Sequence, residues 1–226
     1  MENMPEILFE DNHILIVNKR PGDIVQGDKT GDIPLTETLK AYIKNKYNKP
    51  GEVFLGLVHR LDRPVSGAVI FARTSKALTR LTQMVKEREI SKTYWAIVDK
   101  RPEREEGILI HFLKKNEQQN KSYKVKEGTS GAKRAELHYK LIGSGKTYFL
   151  LEVNLITGRH HQIRAQLSAM GCHIKGDLKY GAARSNEDGS ISLHARRLEF
   201  IHPVTKQSTI ITAPVPDKPE WLYFNL

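Results

Sequence analysis

Two short apolar runs, Leu55-Gly56-Leu57-Val58 and Ala68-Val69-Ile70-Phe71, bracket the charged segment His59-Arg60-Leu61-Asp62-Arg63-Pro64-Val65-Ser66-Gly67. Runs this short, rich in branched and aromatic side chains, read as buried strands. A histidine, two arginines and a single carboxylate then fall at the junction of two strands, where Pro64 and Gly67 bend the chain around them. One reading is an acid presented to a substrate on a rigid platform. The other is a loop carboxylate in a solvated ion pair with Arg60 or Arg63, an arrangement worth little. This segment alone leaves both open.

Along the rest of the chain several short strands pair through turns and helices occur singly between them. Ile7-Leu8-Phe9 and Ile14-Leu15-Ile16-Val17, separated by Glu10-Asp11-Asn12-His13, predict an opening hairpin. Leu35, Leu39, Tyr42 and Ile43 recur at helical spacing between Pro34 and Asn45, with Lys40, Lys44 and Lys46 on the other side. Ser75 is a candidate cap for a second helix, whose stripe is Leu78, Leu81 and Val85. Lys92 to Val98 reads as a strand, and Lys114 to Gly131 as exposed loops around a peripheral hairpin. A second hairpin pairs Ala135–Ile142 with Thr147–Ile156, and His160 to Met170 is helical in pattern with Gly171 as its stop. The tail carries a strand candidate at Thr209–Thr212 and the apolar group Trp221, Leu222, Tyr223 and Phe224, expected to pack against the domain. Strands joined by short turns, without regular β-α-β alternation, predict an α+β chain with a mixed, largely antiparallel central sheet flanked by helices and loops. No glycine- and serine-rich linker divides residues 1–226, so a single domain is expected.

Several motifs along the chain resemble those of one family. His59-Arg60-Leu61-Asp62-Arg63 followed by Ser66-Gly67 is similar to the catalytic motif of the RluA-type RNA pseudouridine synthases. Asn18-Lys19-Arg20-Pro21-Gly22 resembles their first motif and Lys92-Thr93-Tyr94 their tyrosine motif. Thr157-Gly158-Arg159-His160-His161-Gln162-Ile163-Arg164, with Gly176-Asp177 and Tyr180-Gly181 downstream, resembles the third. Leu193-His194-Ala195 and Phe200-Ile201-His202-Pro203 resemble the closing segment. Pro64-Val65 is a departure, standing where many members carry a polar residue and threonine.

The resemblance implies the pseudouridine synthase catalytic fold and an enzyme that isomerises uridine to pseudouridine in structured ribosomal or transfer RNA. Asp62 would be the catalytic carboxylate, acting as nucleophile at C1′ or as a base on the sugar, and either role needs it ionised. Arg164 would oppose the desolvation that favours the neutral acid. Tyr94 would stack on the uracil and help remove the C5 proton. His59 and Arg60 would handle RNA during base flipping, and Arg159, His160, His161 and Gln162, at the opening of a helix, would meet phosphate. Relatives often add a small S4-like RNA-binding domain before the first motif, for which the chain upstream of Asn18 has no room.

Charge fits a polyanionic partner. Among the 226 residues, 36 Lys and Arg stand against 26 Asp and Glu, a formal net charge of +10. An isomerisation needs no cofactor, and none is expected. No metal is expected either: adjacent residues such as His160-His161 or Cys172-His173 point different ways on a helix, and no second pair has ligand spacing. The single cysteine, Cys172, excludes an internal disulfide framework, and no apolar stretch nears the roughly 18 residues of a membrane helix. A monomeric cytoplasmic protein is expected, with RNA as partner and no membrane. Two other classes remain in view, a non-catalytic RNA-binding protein that retains the fold and a nucleoside hydrolase with Asp177 as a second carboxylate.

Overall fold

A computed structural model of the chain describes residues 4–27 and 30–224. It divides into two compact units, Met1–Ile90 with Ala195–Val215 and Ser91–His194 with Pro216–Leu226. In the first unit the opening hairpin forms as expected from β1 (Glu6–Glu10) and β2 (Ile14–Lys19), which pair antiparallel. Asp11 turns the chain between them, its Oδ1 accepting the N–H groups of His13 and Ile14 at 2.7 Å each. The two-residue β3 (Gly56–Leu57) and β2 both pair antiparallel with β4 (Ser66–Ala72). A long strand that apolar periodicity does not announce, β10 (Leu193–Ile201), lies beside β4 and pairs antiparallel with β11 (Ser208–Thr212).

Two helices complete that unit. Alternation along β2 and β4 sends Ile14, Ile16, Ala68, Ile70 and Ala72 to one face, where they pack on α2 (Ser75–Glu87). The cap of α2 is Thr74 and not Ser75: its backbone is extended and its hydroxyl accepts the Ala77 N–H at 3.1 Å. The buried stripe is correspondingly Ala77, Leu81 and Met84, with Leu78 and Val85 at its margins. In α1 (Leu35–Lys46), Leu35, Leu39 and Ile43 are buried. Tyr42 instead sends its hydroxyl to Glu10 Oε2 at 2.8 Å, and Lys46 meets the same oxygen at 2.7 Å, fastening the helix to the first hairpin.

The second unit is an antiparallel array in the order β5 (Ser91–Val98), β9 (Phe149–Leu155), β8 (Lys133–Ser144), β6 (Glu106–Asn116) and β7 (Lys121–Val125). Much of the stretch expected to be loop from Lys114 to Gly131 is therefore paired strand. Its lysines and polar residues alternate on an edge hairpin with one wet face, so hydrophobicity gives it no signature. α3 covers only Gln162–Ala169, and Gly171 ends it with φ +78°. A 3-10 turn (Leu178–Tyr180) and the short α4 (Pro219–Leu222) follow. Of the tail group, Trp221 is buried while Leu222 and Tyr223 are exposed. The final two residues of that tail lie outside the described residues. Cys172 is a buried free thiol, and no helix among the described residues is long and apolar enough to cross a membrane.

Candidate active site

Asp62 begins a tight turn. The N–H of Val65 donates to the Asp62 carbonyl at 3.0 Å, closing it over Arg63 and Pro64, so the departure at Pro64-Val65 leaves the turn hydrogen-bonded. Behind the turn lies Lys19, the last residue of β2 and wholly buried. Its ammonium donates to the carbonyls of Val65 at 2.7 Å, Arg20 at 2.9 Å and Arg63 at 3.0 Å, so its three protons have three acceptors. Gly22, at φ +92°, donates its own N–H to the Arg63 carbonyl at 2.9 Å. The first motif is thus a clamp on the backbone of the segment that carries the acid. Burial pushes the Lys19 amine down to about 8, against the opposing pull of the Asp23 and Asp62 carboxylates, and it keeps its charge at neutral pH.

Gly67 is required for a different reason. A Cβ built there would lie 2.4 Å from the carbonyl oxygen of Ala195, and φ is +114°, so only glycine lets β4 approach β10 this closely. His59 is turned toward β4, its Nε2 accepting the Ile70 N–H at 3.2 Å, so one of its ring nitrogens is spent on the fold. Arg60 is exposed and has no hydrogen-bond or ion-pair partner among the described residues. Both line a cleft of about 720 Å³ with Pro34, Thr36, Lys40 and Leu57. Arg63 pairs with Asp32 at 2.6 Å between exposed side chains. The ion-pair reading of Asp62 with its neighbour Arg63 therefore meets a competing partner.

In the second unit, Tyr94 is buried on β5 opposite Val153 of β9. Arg164 is buried on α3 and held bidentately by Asp177, Nε to Oδ2 at 2.7 Å and one terminal nitrogen to Oδ1 at 2.8 Å. Its guanidinium also sits 5.0 Å from the centroid of the Tyr180 ring, which fixes its plane further. Helical periodicity puts Arg164 beside the apolar stripe, but six consecutive residues from Gln162 to Leu167 are buried, so α3 has no solvent face over that span. With both oxygens on one guanidinium, Asp177 is poorly placed to serve as the second acid of a hydrolase.

A sequence model of the RNA pseudouridylate synthase family matches residues 13–169. The chain belongs to that family. An uncharacterized RNA pseudouridine synthase of Bacillus subtilis is 33% identical over 215 residues, covering 93% of this chain and 68% of that protein. Ribosomal large subunit pseudouridine synthase D of Zymomonas mobilis is 32% identical over 228 residues, covering 96% and 71%. Among solved structures, human RNA pseudouridylate synthase domain containing 4 matches with a TM-score of 0.79 at 25% identity, covering 94% of this chain and 89% of that one. Human RNA pseudouridylate synthase domain containing 1 shares the fold, with a TM-score of 0.74 at 23% identity over 97% and 87% of the two chains.

The segment this synthase carries ahead of α3 departs from its helical pattern. His160 and His161 precede the helix, His161 adopting left-handed geometry at φ +50°, and their rings stack with centroids 3.8 Å apart. His160 Nδ1 meets the Ser122 hydroxyl at 2.9 Å and His161 Nδ1 the Tyr180 hydroxyl at 3.0 Å. Burial, then the charges of nearby residues including Arg164, Lys179 and Lys115, push His161 down to about 2, so it is a neutral ring at any working pH. Among the described residues no cluster of three or more His, Cys, Asp and Glu side chains could hold a metal.

Gln162 is a correction. Expected to meet RNA, it is 3% exposed, and its amide is used inside the chain: Oε1 accepts from the Thr157 hydroxyl at 2.7 Å and the Arg159 N–H at 2.9 Å, while Nε2 donates to the Glu136 carbonyl at 3.0 Å. It shapes the loop that presents its neighbours. Arg159 is exposed, with Nε on the Arg134 carbonyl at 3.0 Å. Lys19 is the functional residue that residue chemistry overlooks. The visible signal is a lysine closing a strand that opens with the apolar run Ile14-Leu15-Ile16-Val17.

Proposed function

We propose that this RNA pseudouridine synthase modifies specific uridines in folded ribosomal RNA, with Asp62 as its catalytic carboxylate. Support for the target comes from the relative named as a ribosomal large subunit pseudouridine synthase, 32% identical over nearly the whole chain. The observation that carries the role of Asp62 is its setting: a family-motif acid on a turn whose backbone is clamped by a buried, fully hydrogen-bonded Lys19. A solvated loop carboxylate needs no such support.

The reaction breaks the ribose C1′–N1 bond, turns the uracil, joins C1′ to C5 and moves a proton from C5 to solvent while N1 gains one. Asp62 engages the sugar, as nucleophile at C1′ or as base on the ribose, from a turn whose backbone Lys19 holds. Tyr94 gives the uracil an aromatic face and its hydroxyl assists loss of the C5 proton. Arg164 is a fixed guanidinium of the second unit, its plane set by Asp177. Arg60, exposed and unpaired among the described residues, assists base flipping at a phosphate or a vacated stack, and Arg159 contacts the backbone. The half-buried pair His160 and His161 works as a stacked ring platform beside it. We also read the protein as a cytoplasmic monomer, a compartment for which the buried reduced Cys172 is suitable.

Chemical labelling of pseudouridine across total RNA, from cells with and without the protein, tests the reading. One or a few ribosomal positions should lose the mark in its absence and regain it when purified protein is added. A missing mark in transfer RNA would move the target, and an unchanged map would overturn the proposed substrate.

A further inference from the structure

Lys19 and Lys92, each within a segment that resembles a family motif, live in opposite circumstances. Lys19 is buried and each of its three protons has a backbone acceptor. Lys92, half-buried near the start of β5, has no hydrogen bond or ion pair among the described residues. Burial alone pushes its amine below the ordinary lysine range, with no carboxylate near enough to pull it back. A partly desolvated ammonium without counter-charge is unfavourable unless something else supplies the anion. Structural lysines do not usually look like this; Lys19 shows how the same chain satisfies one.

Position says what the anion is. β5 pairs residue by residue with β9 from Thr93 to Val98, so side chains two apart share a face and stand roughly 6.5–7 Å apart along the strand. Lys92 therefore flanks Tyr94 on the same face. Uracil itself is neutral, and the anions of RNA are its phosphates. We propose that Lys92 is a phosphate-binding residue for the target nucleotide, its ammonium taking a backbone phosphate next to the uridine whose base lies against Tyr94. The inference rests on the reading of Tyr94 as the stacking partner of that uridine. The side chain has no partner among the described residues, and binding replaces its lost hydration with a charge-assisted contact.

The test uses the full chain with Lys92→Met, which keeps the aliphatic stem, and Lys92→Arg, which keeps the charge. The probes are a labelled single-stranded uridine decamer for binding and an unmodified large-subunit ribosomal RNA transcript for turnover. Lys92→Met should bind the decamer about tenfold more weakly at 50 mM salt. Its plot of log affinity against log salt should be shallower by about 0.7, the loss of one phosphate contact on a single strand. Lys92→Arg should restore most of that slope. Melting of the free Lys92→Met protein should be unchanged or higher, because the unpaired charge is gone, whereas a packing role would lower it. An unaltered salt slope, a melting temperature several degrees lower, or a decamer that the wild type does not bind would each overturn the proposal. Failure of the functional reading looks different: there the wild type leaves the ribosomal transcript unmodified, whatever the decamer shows.

Discussion

At the Asp62 turn the proposed catalytic carboxylate and the buried Lys19 ammonium can each be removed without the other. Asp62→Asn keeps volume and much of the hydrogen bonding but can form neither the ester nor the base, so the variant should melt near the wild type, bind RNA and yield no detectable pseudouridine. A solvated ion-pair role would instead change stability by less than about 0.5 kcal/mol and leave turnover intact. Melting, affinity and product measured on one preparation separate the two. Tyr94→Phe keeps the ring and its burial on β5, and product formation at saturating RNA should slow by about 10²-fold, the scale of lost acid–base assistance. A fully active phenylalanine variant would reduce the residue to packing. Lys19→Met strips three carbonyls of their donor, and turnover should fall at least about tenfold with RNA affinity retained, since misplacing a reacting group by an ångström is costly. A titration signature goes with it. The folded-state value near 8 lies below the ordinary 10.5, so between those values the unfolded chain binds more protons and the wild type gains stability as pH rises. Lys19→Met lacks that gain. Urea unfolding of both from pH 8 to 10 should show the difference moving in favour of the wild type by on the order of 1 kcal/mol per pH unit.

Among the elements, the contact of β4 with β10 is the least forgiving. Gly67→Ala would force a Cβ to 2.4 Å from the Ala195 carbonyl oxygen at φ +114°. Backbone atoms cannot rotate away as a side chain tip can, so the strands must part. Overpacking and left-handed strain together should destabilise the protein by about 3 kcal/mol or more, read from the urea midpoint at constant slope. His202 anchors the end of β10 in a comparable way: it is 2% exposed, and its Nδ1 accepts the N–H groups of Val204 at 3.2 Å and Thr205 at 3.0 Å. Its Nε2 lies 3.0 Å from Asp11 Oδ2, off the line of a good hydrogen bond, and so brings the turn after β10 to the turn after β1. The closing motif that contains it therefore stabilises the fold of its unit, and its resemblance to the family needs no chemical role to explain it.

Over the whole molecule, the net charge of +10 predicts that RNA affinity falls steeply with salt as counterions return to the phosphates. Between 50 and 200 mM salt the loss should be about tenfold or more, measured by filter binding with Asp62→Asn to prevent turnover. A flat dependence would argue against phosphate contacts as the main source of affinity. Charge, strand alternation and the ordered motifs were all legible in the sequence, because each depends on residue type and on neighbours a few positions away. The opening hairpin, the apolar face of α1, β5, the β8–β9 hairpin and the family could be read this way. What only the tertiary structure decided are pairings between distant residues. The Lys19 ammonium reaches carbonyls 44 and 46 positions along the chain, and Asp177 takes the Arg164 guanidinium from 13 residues away. The Gln162 amide is turned inward to a carbonyl 26 residues distant, and the two histidine rings stack because His161 leaves the helical region before α3 begins. Such contacts impose no period on the sequence. They exist only once the strands have closed, when a polar group cut off from water must find whichever donor or acceptor the fold has brought beside it.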